Sequence, residues 1–185
     1  MFDKAFDIIG KHAIYTRKLS TDLRSRENRG EGVFGNYGFF DRYLDVYLNG
    51  AIFGLLYNRT AERDTSLREE QASIPLTAFN TSRSDCIFLY RLVMLLEQTT
   101  DATPEERVNR AFRDDADENK TDKIEANMNL FLSYVYGGIE VMYEKFMDGC
   151  TTRDDYLERV YTLMKDFQEE INGTSYEEKI AQFIH

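Results

Sequence analysis

Asp41, Asp45 and Asn49 recur at every fourth position, and in a helix that spacing puts all three on one face. Two carboxylates and an amide so arranged suit a polar ligand pocket. They equally suit a solvated stripe near a helix N-terminus, where negative charge complements the dipole. A second narrow stripe runs through Asn129, Ser133, Glu140 and Glu144, and a glutamate from it would complete a cluster with the first. Di-metal carboxylate bundles, however, use Glu-x-x-His pairs. Neither His12 nor His185 has a glutamate three residues before it, so no metal and no cofactor are expected.

Arg91 stands alone in the apolar run Cys86–Leu96. Either its stem lies along the core with the guanidinium in water, or it pairs with a carboxylate such as Asp45 or Glu140 from a neighbouring helix. Asp41, Asp45, Asn49, Arg91 and Glu140 are thus the candidate ligand-binding residues, on condition that they converge on one cleft. Asp115, Asp117 and Asn119 imitate the start of a calcium loop, but Lys120 occupies the turn position that needs glycine and Ala126 the closing position. Cys150 follows Gly149 near a helix start, a setting that lowers a thiol pKa, yet no histidine is near it in sequence. No nucleotide-binding, zinc, hydrolase or kinase motif is recognisable, and no catalytic residue is assigned.

Lys11, Arg17, Lys18, Arg24, Arg26 and Arg29 form a basic cluster, opposed by Asp22 and Glu27. Such a patch suits nucleic acid or an acidic protein partner; it is also what an ordinary solvated helix and loop look like. Charge is uneven along the 185 residues. Residues 1–96 hold 13 basic against 12 acidic side chains, whereas residues 97–185 hold 10 against 21. The total of −10 argues against a surface that binds nucleic acid everywhere. Thirteen Phe and 12 Tyr supply rings for a rigid core, and any that remain outside it favour an interface.

These side chains need elements to position them. Three apolar segments, approximately Phe39–Asn58, Ser84–Gln98 and Ala126–Met147, are hydrophobic around too much of their circumference for surface helices. They are expected to be the central helices of an all-α bundle of about six to seven helices, a single domain over residues 1–185. Gly50, Gly54, Gly137 and Gly138 interrupt the first and third. Mid-helix glycine costs roughly 1 kcal/mol against alanine, so a close crossing of these two helices is expected to require it. Residues 2–24 read as a helix, 25–38 as a glycine-spaced loop, and no strand pattern is long enough to assign. Ser66 with Glu69 suggests a capped short helix, followed by an extended SIPLTAFN stretch. Thr103-Pro104-Glu105-Glu106 is a strong helix start, Thr152 with Asp155 another, and Asp148-Gly149 a helix end. The helix after Thr152 should turn Tyr156, Val160, Leu163, Met164 and Phe167 inward, and Ser175 with Glu178 should open a short last one.

Two unlinked cysteines, no signal-peptide pattern and no run long enough to span a bilayer imply a cytoplasmic protein. The expected role is a non-enzymatic protein-interaction subunit or adaptor of a larger assembly, with a protein partner and with homodimerisation compatible with the aromatic content. The alternatives are a nucleic-acid-associated accessory protein using the basic segment, and an enzyme or small-ligand binder using the polar cluster.

Overall fold

The computed structural model describes residues 2–20, 38–114 and 121–173. In chain order the elements are β1 (Phe6–Ile9), α1 (Lys11–Leu19), α2 (Tyr43–Leu56), β2 (Gln71–Ile74), α3 (Leu76–Thr81), α4 (Arg83–Leu96), α5 (Pro104–Phe112), α6 (Thr121–Phe146) and α7 (Arg153–Gly173). The expected helical bundle is therefore present, with α2, α4 and α6 as its three apolar helices. No helix among the described residues is long and apolar enough to cross a membrane.

Two local expectations are corrected. Residues 2–24 do not form one helix: Phe6–Ile9 pairs antiparallel with Gln71–Ile74, in the register Phe6↔Ile74 and Ile8↔Ala72. Four-residue strands carry too little alternation to be seen in a string, and these are held by their buried Ile8, Ala72 and Ile74 side chains. Gly10 then turns the chain into α1 at φ +66°, and a Cβ there would collide with Asp64. Second, Ser66 opens no helix; its hydroxyl and N–H bind the Asp64 carboxylate instead. The extended stretch ends at Pro75, after which Leu76–Thr81 is helical. The glycine-spaced loop before Gly38, the first half of the calcium-like loop (115–120) and the Ser175 start fall outside the described residues.

The α2–α6 crossing carries the glycines as expected. Added Cβ atoms at Gly54 and Gly138 would drive into the Tyr134 and Gly50 carbonyls, and one at Gly50 would sit 2.8 Å from the Val135 oxygen. Gly137 performs the same service for the segment after α2, which runs across α6 with its Arg59 carbonyl against that glycine. Ala61 N–H anchors this segment by donating to the Ser133 carbonyl. Around the crossing, Phe2, Tyr47, Phe79, Tyr90 and Phe131 pack ring against ring at centroid distances of 5.7–6.1 Å.

Caps follow the sequence closely. Thr103 and Glu106 complete a reciprocal box at the start of α5. Asp155 accepts from the N–H groups of Thr151 and Thr152, which holds its carboxyl at about 2. Gly149 takes φ +75° between α6 and α7.

Candidate functional site

Glu140 closely follows the crossing glycines on α6, and three basic side chains from two other segments meet it. Lys11 Nζ is 2.8 Å from its Oε1, His12 Nε2 is 3.1 Å from the same oxygen, and Arg59 Nη2 is 3.5 Å from Oε2. Arg59 also reaches Glu144 at 3.3 Å, so the Glu140–Glu144 stripe is joined by a single guanidinium. The backbone explains the meeting. Gly10 and the Asp64 carboxylate, which accepts from Lys11 N–H, set the start of α1 against the segment after α2. Gly137 lets that same segment lie flat on α6 and present Arg59.

Burial opposes the charge on Glu140, but the hydrogen bonds and positive charge of Lys11 and His12 outweigh it and lower its pKa. Its hydrogen bond to Glu140 raises the Lys11 pKa against partial burial. His12 goes the other way, because full enclosure of its ring lowers its pKa more than Glu140 raises it. A neutral imidazole with Nε2–H donating to Glu140 leaves Nδ1 as acceptor, and Nδ1 has no partner among the described residues. The ring rests on Tyr136 at 4.7 Å. Chemically this is an ion cluster about one acid: the half-exposed Lys11 and Arg59 offset its charge, and the imidazole beside it is fully buried.

The Tyr136 ring also walls a groove of about 410 Å³, shared with Phe6, Leu132, Ser133 and the segment Thr60–Arg63. Its hydroxyl is buried and without a hydrogen-bond partner among the described residues. By size alone the groove lies in the range of small-ligand sites.

The five candidate ligand-binding residues have separate partners. Asp45 forms a pair with Arg42, 2.6 Å from its Nη2, at the start of α2. Asn49 donates to the Asp45 carbonyl within the same helix at 2.8 Å. Asp41 is exposed and precedes the helix, so the stripe loses its first member. Glu140 serves the cluster just described. Arg91 pairs with neither Asp45 nor Glu140: its guanidinium covers the Phe112 ring at 5.1 Å, and its Nε is unpartnered among the described residues.

Of the basic cluster, Lys11 binds Glu140, Arg17 binds Glu70 and the Gln71 carbonyl, and Lys18 binds the Tyr143 hydroxyl and covers its ring. Arg24, Arg26 and Arg29 lie outside the described residues.

Sequence reasoning overlooked Glu97, the most fully enclosed carboxylate of the described chain. It caps the α4–α5 turn, accepting from the N–H groups of Thr99 and Thr100 and from the Thr100 hydroxyl. Arg107 and Arg110 complete the charge balance at 3.3 Å each. Burial works against its ionisation, but the Thr100 and Thr99 bonds and Arg107 prevail, so its pKa is lowered. Two threonines, two and three residues after a helix-ending glutamate, were the available signal.

The last surface to emerge is apolar. Tyr156 packs on Phe39 at 5.2 Å, and Arg159 caps the end of α6 through the Lys145 and Asp148 carbonyls. Val160 also packs against the core. Tyr161, Met164 and Phe167 are 71%, 68% and 64% exposed, and Leu157 is 50% exposed. The expected inward stripe is thus corrected in part: Tyr156 and Val160 pack on the core, whereas Met164 and Phe167 are not covered among the described residues. Phe88 on α4 and Val108 and Phe112 on α5 are also exposed. Searches against protein-family models, curated proteins and solved structures match nothing, so the chemistry of these surfaces must be argued from their own residues.

Proposed function

We propose that this chain is a non-enzymatic interaction subunit of a larger assembly, and that α7 is its docking element. The observation that carries the reading is the exposed apolar face of α7. Leu157, Tyr161 and Met164 lie four and three residues apart on one exposed face, with Phe167 at its edge, the spacing by which one helix seats against another. A helix shorter than two dozen residues gains little stability from propensity and depends on packing of its apolar face. Here only the first two turns are pinned, by Tyr156 and Arg159. The occupant that fits is a helical surface with apolar residues and basic edges, because α7 carries six acidic side chains against three basic ones. The engagement of Glu140 by Lys11, His12 and Arg59 together supports a structural rather than catalytic use of the cluster.

The test is affinity capture from nuclease-treated and untreated lysate with the wild-type chain and with a Tyr161→Glu/Met164→Glu variant, followed by reconstitution from purified components. A protein that survives nuclease, is lost with the variant and rebinds in purified form bears the reading out. Binding partners that are lost with nuclease, or retained by the variant, contradict it and return weight to the basic segment.

A further inference from the structure

The groove walled by Tyr136 is built from three separate parts of the chain. On α6, Asn129, Leu132, Ser133 and Tyr136 follow the i, i+3, i+4, i+7 spacing that places them on one face. The segment Thr60–Arg63 supplies the facing wall, and β1 contributes Phe6. Hydrogen bonds fix these parts to one another. Ala61 N–H donates to the Ser133 carbonyl at 2.9 Å, and Arg63 Nη2 donates to the Asp7 carbonyl of β1 at 3.3 Å. Both rings are held by neighbours outside the groove: Phe6 meets the Tyr47 ring edge-on at 5.6 Å, and Tyr136 rests against His12. The groove is therefore built into the fold, as small-ligand sites usually are.

Its polar groups are those that the rest of the chain leaves unused. Tyr136 is only 3% exposed, yet its hydroxyl has no hydrogen-bond partner among the described residues, which is rare for a buried hydroxyl. Burial raises its pKa and the charge of Arg63 partly opposes the rise. The hydroxyl thus keeps its proton and has that guanidinium for a neighbour. Apart from the Asp7 carbonyl Arg63 has no partner among the described residues, and Glu62 has none. The lining therefore offers one cation, one anion and one enclosed donor, set among the apolar surfaces of Phe6, Ala61 and Leu132. A ligand with a single charge is attracted by one of the two side chains and repelled by the other. A ligand with both charges is attracted by both: a carboxylate suits the fork of arginine donors, and an ammonium suits a glutamate.

We propose that this groove binds a small zwitterion with an apolar side chain, the chemical class of free amino acids such as leucine and phenylalanine. The carboxylate of the ligand lies against Arg63 and accepts from the Tyr136 hydroxyl, its ammonium faces Glu62, and its side chain covers Leu132 and Phe6. The two opposed charges stand on consecutive residues of the chain, and an α-amino acid carries its own two charges on a single carbon. A volume of about 410 Å³ admits a molecule of that size. The groove shares no residue with α7, so it stands or falls apart from the docking role of that helix.

The experiment is isothermal titration calorimetry of the purified full chain with L-phenylalanine and L-leucine, and with analogues that keep one charge each. For phenylalanine these are 2-phenylethylamine and 3-phenylpropionate; for leucine they are isopentylamine and 4-methylpentanoate. At least one of the amino acids should bind with a Kd below about 1 mM, and its two analogues should bind about tenfold more weakly or worse. Arg63→Gln and Glu62→Gln change exposed side chains, so both variants should keep their helical circular dichroism and lose a similar factor in affinity. Tyr136→Phe removes only a hydroxyl without a partner, so its urea midpoint should equal or exceed that of the wild type while its affinity falls several-fold. If neither amino acid binds below about 1 mM, the proposal is overturned. It is overturned equally by a single-charge analogue that binds as tightly as its parent, or by an affinity that all three variants leave unchanged.

Discussion

The α2–α6 crossing and α7 are both helices with apolar residues at helical spacing, yet one is closed to backbone contact and the other stands open. At the crossing, Gly50, Gly54 and Gly138 remove the side chains that would hold the helices apart, and carbonyl oxygens lie where Cβ atoms would be. Along α7 the side chains are large, Tyr161, Met164 and Phe167, and no neighbour receives them among the described residues. Small residues against small residues make an interface that only its own partner fits. Large residues in water are what the proposed docking role would bury. The contrast separates what holds this molecule together from what it offers outward.

The sharpest way to break the comparison is at the crossing. Gly138→Ala places a Cβ against the Gly50 carbonyl, and overpacking of this kind should cost about 3 kcal/mol or more, or roughly 10 °C in Tm. Urea unfolding would measure it, and an unchanged midpoint would mean that the helices are not in backbone contact. The next effect in size is at Glu97. Its replacement by glutamine keeps the volume but removes the charge that Arg107, Arg110 and the Thr99–Thr100 turn require, for an expected loss of about 2–3 kcal/mol. A variant as stable as the wild type would show that turn to be held by packing alone.

A smaller effect belongs to pH. The His12 pKa is lowered in the folded chain by burial, so the unfolded chain binds the proton first. Its contribution to stability is complete above about pH 6.5 and declines as pH falls toward and through the lowered folded value. Glu140, whose pKa is also lowered, loses its contribution only below the ordinary glutamate range. Lys11, with a raised pKa, loses its own at the alkaline end. Thermal unfolding between pH 7 and 5 should therefore show a downward slope that His12→Gln flattens; equal slopes in both proteins would remove His12 from the account. The smallest effect sharpens the other side of the comparison. Tyr161→Ser on the open face of α7 should change the stability of the dilute single copy by no more than about 0.5 kcal/mol. A loss several times larger would mean that α7 is packed within its own chain after all.

Much of this was legible in residue order. The three apolar helices, the Thr103–Glu106 and Thr152–Asp155 starts, the Gly149 end and the glycine crossing all express local propensity or hydrophobic period, and each acts within a few residues of its cause. The β1–β2 pair was not legible because its four-residue strands are too short for alternation to register. The acid–base cluster was hidden for a different reason: His12 and Glu140 are 128 residues apart, and only Gly10, Asp64 and Gly137 bring them together. Arg91 shows the same limit, since a lone arginine in an apolar run is compatible with water, a carboxylate or a ring, and α5 supplied the ring.

The amino-acid order alone determined that this chain is helical, acidic in its second half and glycine-interrupted where two helices must cross, because periodicity, charge and the absence of a Cβ are properties of the string. Tertiary structure decided which polar groups neutralise one another and which apolar face is left over. Those outcomes depend on where separate segments meet. Of the inward stripe expected of α7, Tyr156 and Val160 meet the core while Met164 and Phe167 stand exposed, and only the reach of the bundle distinguishes the two pairs.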